Sequence, residues 1–367
     1  MTCLYFENKF YIRWYKNCFI IKNIFNMEEK DIKQNELNSE EIQMGEKEKI
    51  VPQNSTEASS NNLTKEEEQN KNKIEEQNPD LDNFNTLLKT ILDEKEVSKL
   101  TKVFYKHLLK IIGKHEISKK YDIIFLYDSQ NSISENMADK IYSVIPTKTE
   151  KPVLLILHSR GGQIEPAYLI SKTCKENSKK FNVAIPRKAK SAATLIALGA
   201  DEIHMGTLSE LGPIDPQFGG LPALGLTSSL ESLAKVVTKY PKSSEMLANF
   251  LAQKLDLRIL GYFERVSESA MQYATRLLGG KIYPSKIEDI ARNFVYEYKD
   301  HSFVIDKEEA INFLGDTIKT NTEEYLLAND IHQFMSTLNN LVGIIRKKNI
   351  AIIGGCKGLI INDIENN

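Results

Sequence analysis

The sequence predicts an α/β fold with a parallel sheet, on the alternation of strand-length and helical stretches. Short runs of strand length, Tyr121 to Tyr127, Val153 to Leu157, Val183 to Ile185 and Glu202 to Met205, alternate with stretches that read as helices. Alternation in this rhythm joins strands through helical crossovers, which sets neighbouring strands parallel. Two stretches stand outside the pattern: an acid-rich segment near the N-terminus, and a strandless run from Leu224 to Leu278 with Leu, Met, Phe and Tyr at three-to-four spacing.

Residues 1–83 read as an N-terminal extension, largely disordered. The opening 26 residues are aromatic but broken by Glu7, Lys9, Arg13, Lys16 and Lys22, which is wrong for the apolar core of a signal peptide. Met27 opens a different composition and reads as a candidate start. Residues 27–80 hold 15 acids against 7 lysines, with no aromatic residue and no cysteine. Such a segment buries too little apolar surface to offset its ordering entropy, so a solvated acidic arm is expected.

The globular domain is expected over 84–345. It opens with a helix from Leu87 to Leu109, and after the first strand a second helix is expected from Ser134 to Val144, with Pro146 beyond its end. Ile164 to Lys175 and the small-residue run Ala192 to Gly199 are the next helices. The insertion, about 224–278, reads equally as core-facing helices or as a lid or oligomer surface. Helices are expected again at Lys307 to Phe313 and Thr322 to Arg346. In the tail, 346–367, Ile350 to Gly355 has the look of a strand with turn glycines but no assigned neighbour.

Composition excludes several functions. The 367 residues carry 48 Lys and Arg against 50 Asp and Glu, a net −2 that offers no footprint for nucleic acid. The arm alone holds −8 and the remainder +6, modest for its size. Cys3, Cys18, Cys174 and Cys356 form no CxxC pair, which disfavours a zinc ribbon or a secreted disulfide framework and suits a reducing cytoplasm. No apolar run approaches the roughly 20 residues of an integral membrane helix. His107, His115 and His332 lack a second ligand at helical spacing, and His158 and His204 end apolar strands, so these histidines read as structural. No metal and no cofactor is expected.

The chemistry concentrates where strands end. Gly161-Gly162 follows a buried strand and precedes a helix, a place where backbone N–H groups can face an anion. Ser191 lies 29 residues after Gly162 and just before Ala192-Ala193-Thr194, at a helix N-terminus. On the residues alone, an ordinary turn and an N-cap serine account for both features.

Together, the runs LLILHSRGGQIEPAYLI, AIPRKAKSAATLIALGADEIHMG and LSELGPIDPQFGG resemble the serine dehydrogenase proteinase family. That family is similar to the proteolytic subunit of Clp protease and to signal peptide peptidase A, within the crotonase-like group. The resemblance spans roughly residues 84–345. It implies a core of repeated ββα units, a peptide or protein substrate, and a homo-oligomer built through helical appendages. It also implies that Ser191 is the nucleophile and that the amides of Gly162 and Ala192 form the oxyanion hole. Arg160 stands where Clp-type sequences usually have proline.

By the same likeness, the place of the Clp-type histidine is taken by Asp215, and the place of its aspartate by His301. Acid and base are thus exchanged in chain order. A carboxylate near pKa ~3.9 is a poor acceptor for a serine proton and an imidazole near ~6.5 a suitable one, so His301 is assigned as base and Asp215 as its orienting partner. A serine–lysine dyad through Lys188, Lys190 or a lysine of the insertion is the competing arrangement. Two other classes stay open: a crotonase-like acyl-CoA enzyme using Glu165 or Glu210, and a catalytically silent interaction protein.

Overall fold

Five consecutive residues, Val153 to Leu157, have no exposed surface at all. A strand buried on both faces belongs at the centre of a sheet covered on both sides, and burying each such side chain is worth roughly 1.5–3 kcal/mol. In the computed structural model, which describes residues 79–145, 150–215, 217–218, 221–280, 284–298 and 300–363, that strand is central. Of the acidic arm expected from the sequence, residues 27–78 lie outside the described residues.

The main sheet runs in the order β11-β10-β1-β2-β3-β5-β9. Its strands are β1 (Asp122–Asp128), β2 (Val153–Ser159), β3 (Phe181–Ile185), β5 (Glu202–Met205), β9 (Ile318–Thr320), β10 (Lys348–Gly354) and β11 (Leu359–Asp363). From β1 through β9 all neighbours are parallel, as the alternating pattern predicts. The apolar run that the sequence left without a neighbour is β10, which pairs antiparallel with β1, and β11 pairs antiparallel with it.

Two short strands leave this sheet at its C-terminal edge. Ser159 of β2 pairs with Ala189 of β4 (Lys188–Ala189), which pairs in turn with β6 (Glu210–Leu211). Leu211 and Ile305 then exchange both backbone hydrogen bonds. This offshoot gathers the segments that carry every candidate site residue.

Helices cover both faces. The predicted first helix is two: α1 (Phe84–Asp93) and α2 (Val97–Gly113). The break has a tertiary cause, because the Arg346 guanidinium donates to the carbonyls of Ile91, Leu92 and Glu94, satisfying carbonyls that helix continuation would otherwise have paired. Helices α3 (Glu135–Tyr142), α4 (Ile164–Glu176) and α5 (Ala192–Leu198) pack the main core with the inward side chains Ile124, Leu126, Leu155 and Leu157. On the other face lies α11 (Glu323–Arg346), against β10, β3 and β5.

After β7 (Gln217–Phe218) and β8 (Leu221–Pro222), which pair antiparallel, the insertion forms α6 (Ala223–Lys239), α7 (Ser244–Lys254) and α8 (Leu257–Leu278). The core-facing reading holds for part of it, and another part leaves large apolar side chains exposed. The second half of α8 is core, with Ala270, Ala274, Leu277 and Leu278 buried and Tyr273 stacked on Tyr168 at 4.5 Å. Val236, Tyr240, Met246, Phe250, Ile259 and Tyr262 stay exposed. After α9 (Pro284–Arg292) and a π-helical turn, Asn293–Glu297, the chain reaches α10 (Lys307–Leu314).

Three of the structural histidines, His158, His204 and His332, lie between the sheet and α11, whereas His107 and His115 come from α2 and the residues after it. His204 Nδ1 is 2.9 Å from Thr322 Oγ1, and the Tyr127 hydroxyl donates to His332 Nδ1 at 2.7 Å. Burial pushes His158 down to about 3 and His332 down to about 4, with nearby cations adding to it. Between these values and ~6.5 the unfolded chain takes up protons that the folded chain refuses. Their stabilising contribution is therefore complete above ~6.5 and lost as pH falls towards 4 and 3. The melting temperature should drop as pH is lowered from 7 to 5 in calorimetry, and the slope should flatten in His158→Leu.

Candidate active site

Glycine is obligatory where β2 turns into α4. Gly161 has φ 105° and Gly162 φ 153°, in the half of backbone space that side chains rarely enter. Space is the second constraint. A Cβ on Gly161 would stand 2.8 Å from the Ser191 Cβ and 2.7 Å from the Lys190 carbonyl, and one on Gly162 would stand 2.2 Å from the Ile133 nitrogen. The Gly-Gly turn thus lies directly against the candidate nucleophile. Ile133 brackets it from the other side, donating to the Gly161 carbonyl and accepting from Gln163 N–H at 2.9 and 3.0 Å. The Gly162 amide between these bonds has no acceptor among the described residues, and Gly162 is exposed.

Ser191 occupies the N-cap position of α5 but does not cap it. An N-cap serine takes extended backbone and accepts a hydrogen bond from the first turn; Ser191 has φ 52° and ψ −119°, and its hydroxyl makes no cap bond. This conformation costs of order 1–3 kcal/mol and persists only where its surroundings impose it. Those surroundings are specific. Lys190 N–H donates to the Ser159 carbonyl, Ala193 N–H to the Lys190 carbonyl and Leu195 N–H to the Ser191 carbonyl. Thr194 Oγ1 lies 2.7 Å from the carbonyls of Ala189 and Gly212 and accepts from Gly212 N–H at 3.0 Å. The Ala192 amide, next to the serine, has no acceptor among the described residues.

The Thr194–Gly212 link also fixes the segment running to Asp215, which is 1% exposed. Ile214 N–H donates to Phe294, in the π-helical turn. His301 arrives from the segment before α10, tied down by the Leu211–Ile305 pair and by Ser302 N–H donating to Asp300 Oδ1. The structure brings Asp215 and His301 together: Nδ1 is 3.9 Å from Oδ2, too long for a hydrogen bond. The ring also lies against the Asp215 backbone carbonyl. Among the described residues no hydrogen bond joins His301 to Ser191. Burial first, and then the positive charge of Lys190, hold the imidazole below its ordinary range, against Asp300 and the Asp215 carbonyl.

The lysines of the competing dyad are placed otherwise. Lys190 Nζ contacts the Leu211 carbonyl at 3.1 Å, the Phe303 carbonyl at 2.9 Å and Glu210 Oε2 at 3.1 Å, which uses all three of its protons. Lys188 is half-buried and held below its ordinary range, by burial and then by Arg160; the register sets it beside His158. Glu210 is taken up by Arg187 and Lys190, and Glu165 is exposed. Among the described residues no group of three or more His, Cys, Asp or Glu is placed to hold a metal. Sequence reasoning missed the parts played by Thr194, Lys190 and Ile133, whose partners are remote in sequence.

The contact between Gly161 and Ser191 is open to a direct check. Gly161→Ala should destabilise the fold by roughly 1–3 kcal/mol through backbone strain and displaced Ser191 atoms. Denaturant unfolding measures it, and a neutral result would show that the turn has slack.

Residues 131–328, more than half of the chain, match the model of ClpP-like SDH-type serine proteinases. Two relatives are uncharacterized proteins of Methanocaldococcus jannaschii. MJ0137 is 26% identical over 228 residues, covering 59% of this chain and 74% of its own length. MJ1495 is 26% identical over 187 residues, covering 51% of this chain, and the match spans 59% of that relative's length. Among solved structures, two mutant forms of the 1510-N membrane-bound stomatin-specific protease, one in complex with a substrate peptide, align at a TM-score of 0.36. They share 13% and 14% identity, with 67% of this chain and 93% and 90% of theirs covered. On the family match, this chain belongs to the ClpP-like SDH-type serine proteinases.

Proposed function

We propose that this chain is a serine peptidase in which Ser191 attacks the scissile carbonyl. The observation that carries the reading is the strained turn: a serine at φ 52° between strand β4 and helix α5, its hydroxyl not spent on capping. Strain of this kind, on a sharp strand-to-helix turn, is how a nucleophile is presented to substrate. The amides of Gly162 and Ala192 stabilise the oxyanion, a role in which one donor is typically worth about 10²–10³ in rate. His301 accepts the serine proton and Asp215 orients the imidazole. That assignment requires the ring to close on Ser191 when substrate binds, as catalytic hydrogen bonds often tighten only in the complex.

The substrate is an extended peptide or protein segment, and the enzyme works as a homo-oligomer. The exposed apolar side chains of α6, α7 and the start of α8 supply the contact surface. We place it in the cytoplasm, in keeping with the free thiols of Cys174 and Cys356.

A fluorophosphonate probe should label the native protein and fail to label Ser191→Ala, with the melting temperature nearly unchanged. Equal labelling of the purified variant would remove Ser191 from the chemistry. His301→Ala should lower acylation by about three orders of magnitude or more, and Asp215→Asn should also be severe. Because burial and Lys190 hold His301 down, kcat/KM should rise with pH through a midpoint below ~6.5 as the imidazole loses its proton. A lysine dyad would titrate higher and tolerate His301→Ala. Light scattering at micromolar concentration should give a multiple of 41.8 kDa, and a strictly monomeric mass would overturn the assembly.

A further inference from the structure

Lys190 stands immediately before Ser191, and its side chain spans to a segment more than a hundred residues further along the chain. Its side chain is 13% exposed and that of its partner Glu210 10%. Two of its three acceptors, Glu210 Oε2 and the Leu211 carbonyl, belong to β6. The third, the Phe303 carbonyl at 2.9 Å, belongs to the segment that carries His301. The other oxygen of Glu210 takes Arg187 at 3.0 Å, so the carboxylate is held from the opposite side.

We propose that Lys190 is a positioning residue for His301: clamped by Glu210 and the Leu211 carbonyl, its ammonium holds the Phe303 carbonyl and so fixes the 300–305 segment beside the Ser191 turn. The geometry is economical. An ammonium has three protons, and each has one acceptor on an element that must be kept in register with the others. Among the described residues, this segment is also tied to β6 by the Leu211–Ile305 pair, four residues beyond the histidine; the Phe303 contact is two residues away and lies closer to the working end. A neutral side chain at 190 would leave the Phe303 carbonyl without this donor and return Glu210 to Arg187 alone.

The charge has its own consequence. The groups that face His301 are Lys190 from the β4–α5 turn, Asp215 from the segment after β6, and Asp300 from its own segment. Of these, Lys190 opposes protonation. With burial, it favours the neutral, proton-accepting form of the ring, while Asp300 and the Asp215 carbonyl pull the other way.

The catalytic meaning of this role rests on the reading of His301 as base, but the positioning itself is measurable without turnover. Histidine-ring NMR on the full chain, with the His301 signal assigned through His301→Asn, should be recorded for wild type, Lys190→Met and Lys190→Arg. In Lys190→Met the His301 midpoint should move up towards ~6.5, and its shift in the neutral form should change as the segment relaxes. The acid limb of kcat/KM should move with it, and kcat should fall by about tenfold or more with KM within about twofold, since small misplacements of a catalytic group are costly. Lys190→Arg keeps the charge and should keep the midpoint near wild type while restoring part of kcat. If Lys190→Met does not fold, Lys190→Gln takes its place, losing the charge and reach but keeping a donor. A folded neutral variant with an unmoved His301 signal, or with wild-type kcat alongside a working wild-type enzyme, overturns the proposal. A wild-type protein that no fluorophosphonate labels would instead defeat the peptidase reading, and the NMR midpoint and shift would still decide the role of Lys190.

Discussion

A serine held in a backbone conformation that L-residues avoid is the constraint on which the rest of this site depends. Nothing local in Lys190-Ser191-Ala192 imposes φ 52°. The turn is imposed from outside, by β4 pairing with the end of β2, by Gly161 packed against the serine, and by Thr194 joining the first turn of α5 to Gly212. Removing the offshoot of β4 and β6 from the edge of the main sheet would let the turn relax into an ordinary helix start. The deep burial of β2 therefore serves the site as well as the core, because an immobile strand is what gives β4 a fixed edge to pair with.

The electrostatics of the site follow from an uneven count of charges. One mostly buried carboxylate, Glu210, serves two cations, Arg187 and Lys190, and Lys188 stands near them with Arg160 raising the local positive potential. Buried ion pairs contribute little net stability when their desolvation is counted. Their use here is geometric and local: they hold strand edges in register, and they make additional positive charge expensive. Burial is the first cause of the lowered affinity of His301, His158 and His332 for protons, and these cations add to it.

The insertion divides its labour along its length. Where α8 meets α4 and α5, small and apolar residues at helical spacing let helices approach closely, and the Tyr168–Tyr273 stack fills the seam. Further out, α6 and α7 expose large apolar side chains that no described residue covers. One periodic pattern thus supplies both a buried face and an open one, because amphipathic spacing specifies that a face exists and leaves open what it meets.

Much of this molecule was legible in the sequence because it is local. Runs three to seven residues long set the central strands, helical periodicity set α4 and α11, the small-residue run set α5, and the runs around Gly161-Gly162 and Ser191 pointed to the family that the comparison then showed. What the sequence left open depends on contacts between residues far apart in the chain. The split between α1 and α2 is made by Arg346, roughly 250 residues away; the place of β10 beside β1 is a pairing that no local preference dictates. The non-capping conformation of Ser191, the 3.9 Å approach of His301 to Asp215 and the three-way clasp of Lys190 are of the same kind. Spacing along a chain states which groups are present, but strain, proton affinity and hydrogen-bond partners are properties of distance and burial, and only the folded arrangement sets those.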